Sequence, residues 1–279
     1  MFIRRPSKKL TYLNTRSAPL VMPRINRAHK WGANCVFFYA PNSFGPYDIA
    51  GQKMTTLTSG ATYGQNFKGS ALSISGTGDA LFTGIPAYNV SDMTLLWAGI
   101  PTNFSNYRAT GSKWNGLTGG EVFDSYLSTA GTGTLVFVRG NGAGGLRLYS
   151  AGAATAGAYN TIGWSASGPI EKVPGCVLNG TIQSPTLNFG SGTGAPASNS
   201  SPIQVASRAD AVTQMLGTIN FLIILNKAIS TAEMLMALQD PFVMLQPLNL
   251  APRFNSASSG FTAVNRRTLG YRVGSRSYY

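Results

Sequence analysis

Two carboxylates three residues apart, in Glu121-Val122-Phe123-Asp124, are the nearest approach to a hydrolytic pair in this chain of 279 residues. A retaining glycosidase needs its two carboxyl groups about 5 Å apart on one side of the scissile bond. In an extended strand successive side chains alternate faces, so residues three apart point in opposite directions. No further acid follows until Glu171. The single histidine, His29, lies in a basic N-terminal stretch, which argues against a Ser-His-Asp triad. Gly140-Asn141-Gly142-Ala143-Gly144-Gly145 is glycine-rich but runs into a strand pattern, so no helix N-terminus follows to hold a phosphate. One histidine and two cysteines exclude a four-ligand His/Cys zinc site. Asp48, Asp79, Asp92 and Asp210 are scattered singly, whereas calcium wants several oxygens together. The expectation is therefore a protein without catalytic residues or cofactor, with calcium left open.

What the residue types do support is recognition. Asn103–Trp114 (NFSNYRATGSKW) reads as a loop offering Tyr107, Arg108 and Trp114 beside amide side chains. An exposed aromatic ring can stack on the C–H face of a sugar while a guanidinium and amides fix its hydroxyls. Trp114 fits equally well as a cap on the core.

The net charge of +13 sits in the two ends. Arg4, Arg5, Lys8, Lys9, Arg16, Arg24, Arg27 and Lys30 crowd the start, and Arg253, Arg266, Arg267, Arg272 and Arg276 the finish, without an acid in either segment. The remaining bases and acids balance, so the body is formally neutral. A basic, Ser-rich end frays when free. The arms are therefore expected to be held in order by a neighbouring subunit, a larger assembly or a nucleic acid. Arg4-Arg5-x-x-Lys8-Lys9 would neutralise phosphates, but Phe2, Tyr12, Tyr271, Tyr278 and Tyr279 suit protein grooves, and the protein partner is preferred.

Charged residues are 11% of the chain and glycines number 33, where roughly a quarter charged is usual. Such a make-up suits an all-β protein with many turns. Cys35 and Cys176 each lie in an apolar run, which favours buried free thiols over a disulfide. The basic start is not followed by an apolar run of signal-peptide length, and Phe221–Leu225 is too short to span a bilayer. A soluble product is expected, released, if at all, by a route such as cell lysis.

The elements that must position these side chains read mostly as strands. Cys35–Tyr39, Ala71–Ser75, Met93–Ile100, Glu121–Ser128, Thr134–Arg139, Leu146–Ser150, Tyr159–Ser165, Gly175–Leu178 and Gly217–Leu225 are apolar or alternating runs between Gly-rich turns. Asn179-Gly180 predicts a two-residue hairpin turn. Asn42–Gly51 and residues 189–202 read as loops. Ser230-Thr231-Ala232-Glu233 is a capping box opening a short helix, stopped by Asp240-Pro241. Phe221, Ile223 and Leu225 should share one face. The sum predicts an antiparallel two-sheet jelly-roll sandwich over residues 31–252, with one helix near 230–239, a basic extended arm over 1–30 and another over 253–279.

Four segments carry a family resemblance. Gly217-Thr-Ile219-Asn-Phe-Leu-Ile-Ile-Leu-Asn226-Lys227-Ala228-Ile229-Ser230-Thr-Ala-Glu233 resembles the closing strand and helix of laminin-G-like domains of the concanavalin-A-like sandwich, G-x-I-x-x-x-x-I-x-N-R-A-L-S-x-x-E. Ser91–Leu95 with Trp97, Tyr159–Trp164 followed by Cys176–Gly180, and Lys68–Ile74 are similar to earlier strands of that family. Asp240-Pro241-Phe242-Val243-Met244-Leu245-Gln246-Pro247 resembles the exit segment of phage-encoded members. The resemblance implies the sandwich over about residues 35–245. Hydrolases of the broad class carry E-x-D-x-x-E, which this chain lacks. It further implies a non-enzymatic bacteriophage virion protein at the particle surface. The leading expectation is a capsid decoration, or cement, protein, homo-oligomeric in the assembly and lashed to other virion proteins by its arms. The alternative is a tail or fibre module binding bacterial surface glycan. Nucleic-acid and membrane partners are not expected.

Overall fold

The computed structural model describes residues 24–41, 47–51, 53–54, 56–58, 60–76, 80–82, 91–128, 132–208 and 214–246. In chain order the strands are β1 (Arg24–Ile25), β2 (Cys35–Tyr39), β3 (Tyr47–Asp48), β4 (Lys53–Met54), β5 (Thr56–Leu57), β6 (Ala61–Asn66), β7 (Gly69–Ile74), β8 (Ala80–Phe82), β9 (Met93–Pro101) and β10 (Arg108–Lys113). They continue as β11 (Phe123–Leu127), β12 (Thr134–Gly140), β13 (Leu146–Ala153), β14 (Asn160–Ala166), β15 (Gly175–Leu178), β16 (Thr181–Gln183), β17 (Thr186–Phe189), β18 (Ile203–Val205), β19 (Gly217–Leu225) and β20 (Leu245–Gln246). Among the described residues one α-helix, α1, spans Thr231–Gln239.

Two antiparallel sheets form the sandwich. The front sheet runs β17-β13-β12-β11-β10-β18-β8-β5, and the back sheet runs β16-β15-β14-β9-β19-β2-β3-β4 with the β6–β7 hairpin on β19. The predicted all-β sandwich is thus the observed fold. Between the sheets lies a core that includes Phe37, Leu95, Trp97, Phe123, Phe137, Trp164, Leu222 and Ile224. Phe137 and Trp164, from opposite sheets, stack with ring centroids 5.3 Å apart.

The back sheet has a second apolar side. Phe221, Ile223 and Leu225 share it, as their alternation predicts, with Cys35, Phe38, Leu96 and Val177. Helix α1 and the 3-10 turn Pro241–Met244 cover it with Met234, Ala237, Leu238 and Met244. Both halves of the Ser230/Glu233 capping box are made. The helix lies close because β14 offers a glycine there: a Cβ at Gly163 would meet Met234 Sδ at 3.1 Å and Leu238 Cδ1 at 3.4 Å. Asn179-Gly180 turns β15 into β16, with both φ angles positive (48° and 80°), the geometry of a two-residue type I′ turn. Cys35 and Cys176 are both buried and free. The sequence left a disulfide open; Cys35 belongs to the outer apolar layer and Cys176 to the inter-sheet core, on opposite sides of the same sheet.

Three sequence expectations need correction. Residues 24–30 were assigned to the extended arm, yet β1 pairs with β20 and Ile25 is buried. Arg27 donates to the carbonyls of Gly32, Cys35 and Ala50, and Arg24 lies in β1, so both belong to the body. The stretch 103–114, read as a loop, contains β10, a central strand of the front sheet. The loop read over 42–51 includes β3. The other arm residues named above (Arg4, Arg5, Lys8, Lys9, Arg16, Arg253, Arg266, Arg267, Arg272 and Arg276) lie outside the described residues.

Candidate ligand-binding face

The outward side of the front sheet follows from register. Phe123, Leu127, Leu135 and Phe137 point into the core, so by alternation Asp124, Tyr126, Val136 and Val138 point out. Tyr126, Val136 and Val138 form their own small cluster with Leu146 and Leu148. Paired residues lay out two rows across the strands. One reads Gln204, Ser112, Asp124, Val138, Leu148, Phe189; the next reads Ala109, Tyr126, Val136, Ser150, Thr186. The face is polar toward β18 and apolar toward β17.

The polar end carries an unusual grouping. Asp124 has no exposed surface, and Arg208 Nε lies 2.9 Å from its Oδ2. The Arg208 guanidinium carbon sits 4.3 Å from the Trp114 ring centroid and 5.5 Å from that of Tyr126. Tyr107 meets Tyr126 edge-on at 5.4 Å. Trp114 is half-buried and its indole N–H donates to Leu117 O at 2.7 Å, which fixes the ring. Tyr107 is 41% exposed. Ser112 Oγ donates to Ser207 O, tying β10 to the loop that carries Arg208. The electrostatics are coherent. Burial, and then the Asp124 charge, push the Tyr126 hydroxyl pKa well up. Burial raises Glu121, which the Arg208 charge partly offsets. A planar cation between aromatic rings, anchored by a buried carboxylate, is a rigid and pre-organised surface for a hydroxyl-rich ligand.

Of the three residues expected to bind sugar, the structure brings Tyr107 and Trp114 into this cluster. Arg108 is placed differently. It is 4% exposed; its Nε donates to Asn103 O at 3.0 Å, its Nη1 to Gln214 O at 3.3 Å, and its Nη2 to Ser105 Oγ and Asn103 Oδ1. It shapes the loop that presents Tyr107 and does not face a ligand. The sequence reading missed Arg208, Asp124 as its partner, and Tyr126. A signal existed for the last two: Asp124 and Tyr126 are two apart on a strand, hence on one face.

Glu121 and Asp124 do not form a same-face strand pair: Glu121 precedes β11 and Asp124 lies within it. Among the described residues no three His, Cys, Asp or Glu side chains cluster as a metal site, and no helix is long and apolar enough to cross a membrane.

No family model and no curated protein sequence matches the chain. Solved structures do. The binding domain of Paraclostridial mosquitocidal protein 1 superposes with a TM-score of 0.56 at 14% identity, covering 75% of this chain and 53% of that one. Domain 4 of AbnA, a GH43 extracellular arabinanase from Geobacillus stearothermophilus solved with arabinotriose, gives 0.55 at 14% identity, covering 74% and 98%. Trypanosoma rangeli sialidase gives 0.52 at 13%, covering 76% and 33%. The chain spans about half the length of the first and a third of the last. At these identities the likeness is one of fold, a jelly-roll-like β-sandwich.

Proposed function

We propose that this protein is a non-catalytic glycan-binding module, and that its ligand sits on the outer face of the front sheet. The observation that carries the proposal is the Trp114–Arg208–Asp124–Tyr126–Tyr107 cluster. Tyr107 and Trp114 offer ring surface to sugar C–H groups, and the Asp124-anchored guanidinium orients hydroxyls. The arabinanase domain of like fold was solved with a trisaccharide, which supports the substrate class without fixing the sugar. The laminin-G-like branch and a location at a virion surface enter this proposal through the closing-strand and exit motifs alone. The glycan-binding reading is preferred to capsid decoration because an arabinanase domain of like fold was solved with a sugar, while the arms that carried the decoration reading lie outside the described residues. The non-catalytic part rests on Asp124 being committed to Arg208 and on Glu121 lying outside its strand.

A printed glycan array probed with the full chain tests this reading. Binding to a defined sugar class is expected, with Trp114→Ala reducing it about fivefold or more, since one stacked ring contributes about 1–3 kcal/mol in base-stacking platforms. The protein should release no reducing sugar from the bound polysaccharide. An array without any sugar-dependent signal would remove the proposal.

A further inference from the structure

The side of the sandwich away from β5 and β4 ends in two edge strands, β17 in the front sheet and β16 in the back sheet. An edge strand presents unpaired N–H and C=O groups, and proteins ordinarily protect such edges with lysine, proline or a cover. Here charge has no part in that protection, which is left to the shortness of β17, to Pro185 before it and to the irregular register at Asn188. No charged residue occurs between Lys172 and Arg208, a span that contains β15 to β18. All four residues of β17 are exposed, and Ile182 (54%), Leu187 (43%) and Phe189 (65%) project apolar side chains from the two edges.

We propose that β17 pairs antiparallel with β17 of a second copy of this chain. An antiparallel edge is complementary to itself about a two-fold axis, so one sequence satisfies both partners. Copies carrying +13 each repel, and this edge lets them meet without bringing charges together. Phe189 stands opposite Leu148 on the outer face and Leu187 opposite Tyr149 on the inner one, so the joined edge covers one apolar side chain on each face of the sheet. The pairing uses up the edge in each copy, so the assembly closes at two. Asn188, the extra residue where the β13–β17 register shifts, adds local twist, which disfavours open-ended stacking.

The geometry has a functional corollary. A two-fold normal to the joined sheet leaves both outer faces pointing the same way. The Asp124–Tyr126 ends of the two clusters, on β11 of each copy, then stand seven strand spacings apart, on the order of 30 Å. A surface bearing repeated glycans would be held at two points at once, with avidity beyond either site. The pairing itself does not depend on the glycan reading; only this corollary does.

Sedimentation velocity of the full chain over a range of concentrations, at low and high salt, tests the pairing. A dimer that persists at high salt is expected, because nothing at the edge is charged. The double substitution Leu187→Lys, Phe189→Lys should give monomers with an unchanged melting curve, as both side chains are exposed. Should that variant fail to fold, hydrogen exchange on the unaltered protein decides instead: amides of residues 186–189 must gain protection as concentration rises. A monomer at every concentration, a dimer that the lysines leave intact, a dimer that salt dissolves, or amides without added protection would each overturn the proposal. A glycan array without signal beside an intact dimer would sink the sugar reading and leave the pairing standing.

Discussion

Asp124 is a poor strand former set where solvent does not reach, and Arg208 is what makes that placement tolerable. Removing one partner of a buried pair leaves the other uncompensated, at a cost of about 3–5 kcal/mol. We expect Arg208→Met to destabilise by this order in urea unfolding, and the double variant Arg208→Met, Asp124→Leu to recover much of it. A single substitution costing less than about 1 kcal/mol would show that the pair is not a structural anchor. A second buried acid makes a pH prediction. Asp48 Oδ1 accepts the amides of Phe38 and Ala50, and Oδ2 that of Gly51. Burial outweighs these bonds and raises its pKa to about 6. The folded state therefore binds the proton more tightly than the unfolded chain. Its stabilising contribution is complete below about pH 4 and is lost as pH rises through 6. Chemical denaturation of the wild type should show this decline over pH 4–6, and Asp48→Asn should flatten it. At this scale the sequence showed two of the site's five residues. Tyr107 and Trp114 stand out as aromatics among amides, while Arg208 lies far along the chain and is brought to them by the β10–β18 pairing.

Elements with strong local signals were legible: the capping box, the Asn179-Gly180 turn, and β19 with its alternating faces. β10 was not, because Arg108-Ala-Thr-Gly-Ser-Lys113 has no apolar alternation, and its six residues are buried by the strands on either side. Lys113 illustrates the point. Its Nζ donates to Ser201 O at 2.6 Å, and burial lowers its pKa to about 8, so a residue that reads as surface is interior. β1 was hidden for a related reason: two residues in a basic stretch reveal nothing until their partner at 245–246 is known. Gly163 offers a test of how α1 is seated. Gly163→Leu should force Met234 and Leu238 away from β14 and cost about 1–3 kcal/mol. Adding Met234→Ala should return part of that loss. Additive losses would mean that the helix is not seated through this contact.

At the scale of the whole molecule, the border between sandwich and basic ends falls inside the first charged stretch: Arg24, Arg27 and Lys30 belong to the body, which is formally +3 (12 bases, 9 acids) and not neutral. The body begins by residue 24. A truncation starting at residue 24 keeps β1, buried Ile25 and the Arg27 carbonyl contacts; one starting at residue 31 removes them all. Burying one Ile is worth about 1.5–3 kcal/mol, so the longer truncation should melt about 3–12 °C below the shorter one. Equal melting temperatures would return residues 24–30 to the arm. The separation of the two cysteines by a single sheet has a further consequence. Each thiol is sealed, and burial raises its pKa above the ordinary thiol value, so alkylation must wait for an opening. Cys35 is released when the helical cover lifts from the back sheet, Cys176 only when the two sheets part. The chain thus carries two internal clocks, one for each layer, and the ratio of their labelling rates reads out whether the sandwich comes apart in one step or sheds its cover first.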